Sequence, residues 1–189
     1  MLLLVGLGNP GSNYTNTRHN IGFKIIDAIN AHFKLSKQKP KFKGLLTTGN
    51  IDEKKIYAIK PLTFMNNSGT AIKELIDYFK IDAKDVFVFH DDMDIDFGKI
   101  KAKFGGSSAG HNGIESIDKF IGKDYSRVRI GIGHPKQKKK VNNHVLEDFK
   151  EDEEEKIKDI TGNIVKQLPT LIEKKIDLFS SKVNQDLNG

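Results

Sequence analysis

Two short apolar runs, Leu2–Leu7 and Val86–His90, constrain the fold of this 189-residue chain more than any other feature. Neither alternates apolar with polar residues, and each is only about a strand long, so each reads as a buried strand. Helical stripes separate and follow them. Ile21, Ile25 and Ile29, with Ile26 and Phe33, predict a helix over Ile21–Phe33, and Ala71, Ile72, Leu75, Ile76 and Phe79 predict another over Ser68–Phe79. Leu45–Ile51 and Lys55–Lys60 predict a hairpin turned near Asp52-Glu53. Lys99–Phe104 sets Lys99, Lys101 and Lys103 against Ile100, Ala102 and Phe104, a strand with one basic and one apolar face. Asn112–Phe120 predicts a short helix and Arg127–Ile132 a strand. From Glu151 to about Val183 the spacing of Ile157, Ile160, Ile164 and Leu168 is helical, with a kink or break expected at Pro169. Strands alternating with helices imply the α/β class: a mixed, mainly parallel twisted sheet flanked by helices. With no internal repeat and no linker, residues 1–189 are expected to form one domain.

The chain has no cysteine, which excludes disulfides, thiolate zinc sites and a cysteine nucleophile. The apolar start lacks a basic leader and a cleavage site, and no stretch approaches the roughly 20 apolar residues that cross a bilayer. A soluble, cytoplasmic protein is expected. Its formal charge of +6 is uneven: Glu147 to Asp159 holds eight acids against three lysines, which leaves the rest at +11. A basic body suits a polyanionic partner, although an ordinary lysine-rich surface accounts for the charge equally well.

Two motifs mislead. Gly6-Leu7-Gly8-Asn9-Pro10-Gly11 matches G-x-G-x-x-G after a strand, but a dinucleotide site needs a helix to begin within that turn. Here the polar Ser12–Arg18 follows, and helical periodicity begins only after His19. Asp92, Asp94 and Asp96 mimic a calcium loop, yet Phe97 stands where that loop needs glycine and Lys103 where it needs glutamate.

Three polar segments fall at strand ends, where open α/β sheets bind ligands. They are Asn9–Asn20, Thr63–Gly69, and His90-Asp91 with the later Gly105–Gly113. Six stretches occur in order: Val5-Gly6-Leu7-Gly8-Asn9-Pro10-Gly11, Tyr14-x-x-Thr17-Arg18-His19-Asn20-x-Gly22, Pro61-x-Thr63-Phe64-Met65-Asn66-x-Ser68-Gly69, His90-Asp91-Asp92-Met93-Asp94, Gly110-His111-Asn112-Gly113 and Arg127–Pro135. Together they resemble bacterial-type peptidyl-tRNA hydrolase. The resemblance covers residues 5–135 closely, and the C-terminal helices, about 151–183, only in general. Asp92 departs from the glutamate expected there, and the loop Gly-Gly-Ser-Ser-Ala-Gly is varied.

The resemblance implies hydrolysis of the ester between a peptide and the tRNA 3′ end. His19 would be the general base on water, and Asp91 would orient it and stabilise the imidazolium. Standing alone, His19 would read as a cap or surface residue and Asp91 as a turn residue. Asn9, Asn66 and Asn112 are implied to hold the peptide backbone and the tRNA end, with Asn9 sensing whether the α-amino group is acylated. Each also suits a turn or helix cap. Tyr14 and Phe64 would lie against the terminal nucleotide. Lys103, Arg129, Lys136, Lys138, Lys139 and Lys140 are candidate contacts to tRNA phosphates. Met65 reads as packing, while His111 stays open between loop support and a secondary role. No metal, cofactor or obligate protein partner is implied, and a monomer is expected. A tRNA-binding module without catalysis and a dinucleotide-dependent oxidoreductase are the rival readings.

Overall fold

The computed structural model describes residues 1–137 and 141–187. Seven strands form one sheet: β1 (Leu2–Gly6), β2 (Lys39–Lys41), β3 (Gly44–Ile51), β4 (Lys54–Pro61), β5 (Val86–Asp92), β6 (Ile100–Phe104) and β7 (Ser126–Gly131). Their spatial order is β2-β3-β4-β1-β5-β7-β6. The central four, β4-β1-β5-β7, run parallel, and the antiparallel pairs β2–β3, β3–β4 and β6–β7 lie outside them. The helices are α1 (Ile21–His32), α2 (Ser68–Phe79), α3 (Asn112–Ile121), α4 (Val141–Leu146), α5 (Glu151–Ile172) and α6 (Ile176–Leu187).

The period of two along a strand divides the core into two layers. Leu2 and Leu4 join Ile25 and Ile29 of α1, Ile160 and Ile164 of α5, and Phe179 of α6 on one face. Leu3 and Val5 join Ile72 and Leu75 of α2 with Ile114 and Ile117 of α3 on the other. Both apolar runs are therefore covered on both sides, as their composition demands. From β1 the chain passes through α1 to the β3–β4 hairpin on one side, then through α2 to β5 on the other. The gap between β1 and β5 is thus the switch point where a doubly wound sheet opens a crevice.

Most elements fall where the sequence places them. The hairpin turns at Asp52 and Glu53, both at positive φ (46° and 66°), as a two-residue primed turn requires. Two expectations are corrected. The C-terminal helix does not break at Pro169: α5 continues to Ile172, and the break follows at Lys174 (φ 64°). Buried Leu168, Leu171 and Ile172 hold that last turn against the core, which offsets the one hydrogen bond a late proline removes. Phe104, expected on the apolar face of its strand, is 49% exposed. It ends edge strand β6, whose inner part is covered by α6: Asn184 binds both backbone groups of Ile100, and Ser180 accepts from the Ala102 N–H. Strand β2 and helix α4 had no periodic pattern long enough to announce them.

Glycine decides one close approach. A Cβ on Gly22 would collide with the Leu7 backbone and the Phe89 carbonyl, so only glycine lets the start of α1 lie directly on the ends of β1 and β5. Gly22→Ala is expected to cost about 3 kcal/mol or more, because backbone atoms cannot rotate aside. Gly162→Ala, at an exposed α5 position with open space around it, should instead gain about 1 kcal/mol. Urea unfolding of the two variants checks this, and equal effects would contradict the packing described.

Candidate functional site

His19 lies in a 3₁₀ turn (Arg18–Asn20) that runs directly into α1, and Asp91 lies near the end of β5. The Gly22 contact brings them together. His19 Nδ1 is 2.9 Å from both carboxylate oxygens of Asp91, and both residues are buried. A carboxylate accepts, so Nδ1 carries the proton and Nε2 keeps its lone pair. Among the described residues Nε2 has no hydrogen-bond partner, and His19 faces a cavity of about 200 Å³.

Asp91 has a second donor. His111 caps α3, its Nδ1 accepting from the N–H groups of Gly113 (3.1 Å) and Ile114 (3.3 Å). That nitrogen is therefore unprotonated, so His111 Nε2 carries the hydrogen and donates to Asp91 Oδ1 at 2.9 Å. Beside them, His90 donates from Nδ1 to the Asp91 carbonyl at 2.8 Å. Burial, with the adjoining His111 imidazole, pushes the His90 pKa down to about 3, so it stays neutral. For Asp91, burial favours the proton, but the charge and hydrogen bonds of His19 and His111 outweigh it and hold the carboxyl well below the usual range. For His19, burial lowers the pKa, while the Asp91 charge and hydrogen bond together raise it above the ordinary 6.5.

His19, Asp91 and His111 offer ligand atoms within 4.8 Å of one another, spacing that a metal ion could use. The tautomers argue against that use. His111 spends its lone pair on the helix cap, and His19 Nδ1 donates to the carboxylate.

The loop after β1 is clamped by Asn20, whose side chain accepts from the Asn9 N–H (2.8 Å) and donates to the Asn9 carbonyl (2.9 Å). Asn9 Oδ1 accepts from the Met65 N–H at 2.8 Å. This leaves the two N–H groups of Asn9 Nδ2 without a partner among the described residues, so Asn9 presents a donor. The Met65 amide is aimed by Phe64, which holds φ 58° and ψ 159°, a conformation nearly reserved for glycine. Phe64 itself is 53% exposed. Arg18 ties this end to the C-terminal region through Glu153 (3.1 Å) and the carbonyls of His144 and Glu147 (3.3 Å each).

The remaining sequence-derived residues divide clearly. Asn112 lines the His19 cavity. Asn66 is exposed on the Met65–Asn67 turn, and Tyr14 is half-buried in the turn Ser12–Tyr14. Lys103 is exposed on β6, and Lys136 is exposed after β7. Arg129 is bound to Asp92 at 2.8 Å, which compensates part of its charge. Lys138, Lys139 and Lys140 lie outside the described residues. Sequence reasoning missed the parts played by Arg18, Asn20 and His111, although all three stand inside the quoted motifs. The signal for His111 was its place just before a helix, where a side-chain acceptor is useful.

A doubly wound α/β sheet with a histidine–carboxylate pair at its switch point, and an unspent imidazole nitrogen facing a cavity, has the equipment of a hydrolytic enzyme. Comparison with known proteins makes the class specific. The sequence profile of the peptidyl-tRNA hydrolase family matches residues 3–188. A peptidyl-tRNA hydrolase of Pelagibacter ubique is 72% identical over 184 residues, covering 97% of this chain and 99% of that one. One of Ehrlichia ruminantium (strain Welgevonden) is 46% identical, covering 96% and 93%. The crystal structure of peptidyl-tRNA hydrolase from Acinetobacter baumannii superposes with a TM-score of 0.91 at 34% identity, covering 97% of this chain and 94% of that one. The chain belongs to the peptidyl-tRNA hydrolase family.

The tautomers are directly measurable. Nitrogen-resolved NMR near neutral pH should find His111 protonated at Nε2 only and neutral His19 protonated at Nδ1. A proton on His111 Nδ1 would contradict the arrangement described.

Proposed function

We propose that this protein hydrolyses the ester that joins a peptide, or an N-blocked amino acid, to the 3′ end of tRNA. The observation that carries the reading is the 2.9 Å contact of His19 Nδ1 with Asp91, which commits Nδ1 to donation and leaves Nε2 as a base at the cavity. Family membership supplies the substrate class.

In this reading Nε2 takes a proton from water as the oxygen attacks the acyl carbon. The imidazolium that forms is stabilised by the Asp91 carboxylate, which stays ionised throughout. Collapse of the tetrahedral intermediate breaks the ester C–O bond, and the imidazolium returns its proton to the ribose oxygen. His111 keeps Asp91 aligned without competing for the proton, because its own lone pair faces the α3 backbone.

Asn9 presents its Nδ2 donor to a peptide carbonyl, and a free α-ammonium there would meet a donor rather than an acceptor. Acylation of the nitrogen removes that conflict, which gives the site a preference for peptidyl over aminoacyl substrate. Asn66 and Asn112 complete the hold on the peptide and the tRNA end, while Tyr14 and Phe64 border the terminal nucleotide. Lys103, Arg129, Lys136 and the Lys138–Lys140 segment are assigned to tRNA phosphates. Residues 1–189 act as one domain, read as a cytoplasmic monomer that needs no cofactor. Among the described residues, no helix is long and apolar enough to cross a membrane.

N-acetyl-aminoacyl-tRNA incubated with the protein alone should release free tRNA. His19→Ala should fold normally and lose about 10²–10⁴-fold or more in turnover, since that is what a general base supplies. Near-normal turnover in that variant would eliminate the mechanism.

A further inference from the structure

A second concavity opens on the other side of the His19–Asn20 step. It is a groove of about 430 Å³ between the loop after β1, helix α1 and the ends of β3 and β4. Asn9 and Asn20 form its near wall, Phe23 and Leu62 give it apolar surface, and Asp27 and Lys60 lie beside each other within it. Lys60 is buried except for 8% of its surface, and its Nζ lies 2.5 Å from Asp27 Oδ1 and 5.7 Å from the centre of the Phe23 ring. Gln38 donates to the same Oδ1 at 2.7 Å. Asp27 Oδ2 has no hydrogen-bond partner among the described residues, and Lys60 Nζ has two further N–H groups to give. Part of its lining adjoins the two segments already read as bordering the terminal nucleotide. Ser12 and Thr15 flank Tyr14, and Leu62 leads into Thr63 and Phe64.

We infer that this groove binds the adenine of the tRNA's 3′-terminal adenosine and reads its edge through the Asp27–Lys60 pair; the inference rests on the hydrolase reading and extends it. Adenine's Hoogsteen edge carries a donor at the 6-amino group beside an acceptor at N7. An unspent carboxylate oxygen next to a fixed ammonium is the complementary order: Asp27 accepts from the 6-amino group, and Lys60 donates to N7. Phe23 and Leu62 supply the flat apolar contact that an unstacked base needs. The ribose of that nucleotide carries the ester, and Asn9 and Asn20 stand between the groove and His19. The base is thereby held on one side of the catalytic histidine, and the peptide leaves toward the cavity lined by Asn112 on the other. Burial of Lys60 in a pair that serves no helix or strand hydrogen bond fits a recognition role. An ion pair kept only for the surface gains little.

The test pairs altered substrates with altered enzyme. N-acetyl-leucyl-tRNA is prepared with adenosine, with purine riboside (which lacks the 6-amino group) or with 7-deazaadenosine (which lacks N7) at its 3′ end. For the wild-type protein each lost hydrogen bond should raise KM about fivefold, with kcat little changed. Asp27→Ala should abolish the purine riboside penalty and keep the 7-deaza penalty. Lys60→Met should do the reverse. Asp27 is half exposed, so that arm does not depend on how well the Lys60 variant folds. Equal KM for all three substrates with the wild type would overturn the inference, and so would penalties that persist unchanged in the matching variants. A KM that follows the peptide's sequence instead, and is lost in Asp27→Ala, would overturn it in favour of a peptide groove. Failure of the hydrolase reading is a separate result: no tRNA would be released from the unmodified substrate.

Discussion

Asp91 is a buried carboxylate at the end of a central strand, and burial alone would favour its protonated form. It stays ionised because two imidazole N–H groups point at it, from His19 and His111, each at 2.9 Å. Much of the surrounding architecture serves that contact. Gly22 lets α1 rest on the ends of β1 and β5, which sets His19 over the carboxylate. The start of α3 fixes the tautomer of His111. Arg127 steadies the loop before it, with one guanidinium nitrogen on the Ser107 carbonyl and another on Asp118, each at 2.8 Å. One charge therefore joins two helices, α1 and α3, to the ends of β1 and β5, and removing it would leave two donors buried without an acceptor.

The fold was legible wherever a period or an unbroken apolar run extended over several residues. The helix Ser68–Phe79 came from hydrophobic spacing, and the strands of Leu2–Leu7 and Val86–His90 from short apolar runs. Strand β2, three residues of Lys-Pro-Lys, carries no such pattern and exists only because β3 offers an edge. Pro169 misled because a local rule was applied without the core contacts of Leu168 and Leu171, which are visible only in three dimensions.

The site was legible differently. His19 and Asp91 are 72 positions apart, and no spacing rule joins them; the ordered motifs did. His111 stayed ambiguous because its two roles, helix cap and carboxylate donor, use opposite nitrogens of one ring. Only geometry shows that both are filled. The glycine turn is settled by position: two 3₁₀ turns separate Gly11 from α1, so no helix N-terminus meets that loop in the way dinucleotide binding needs. A binding module without chemistry would gain nothing from a buried histidine whose second nitrogen is left unspent at a cavity, so the pairing favours catalysis.

The central claim is that His19, tuned by Asp91, is the group whose ionisation limits turnover. The direct measurement is the His19 titration by NMR, set beside the pH dependence of kcat/KM in the same protein and in Asp91→Asn. With Asp91 present, the His19 pKa is raised, so activity should climb with pH through a midpoint above 6.5 that coincides with the NMR value. Asp91→Asn removes the opposing charge and leaves burial, so both midpoints should fall together below the ordinary histidine value as turnover drops. A rate profile that does not follow the His19 titration, or a midpoint indifferent to Asp91, would contradict the account.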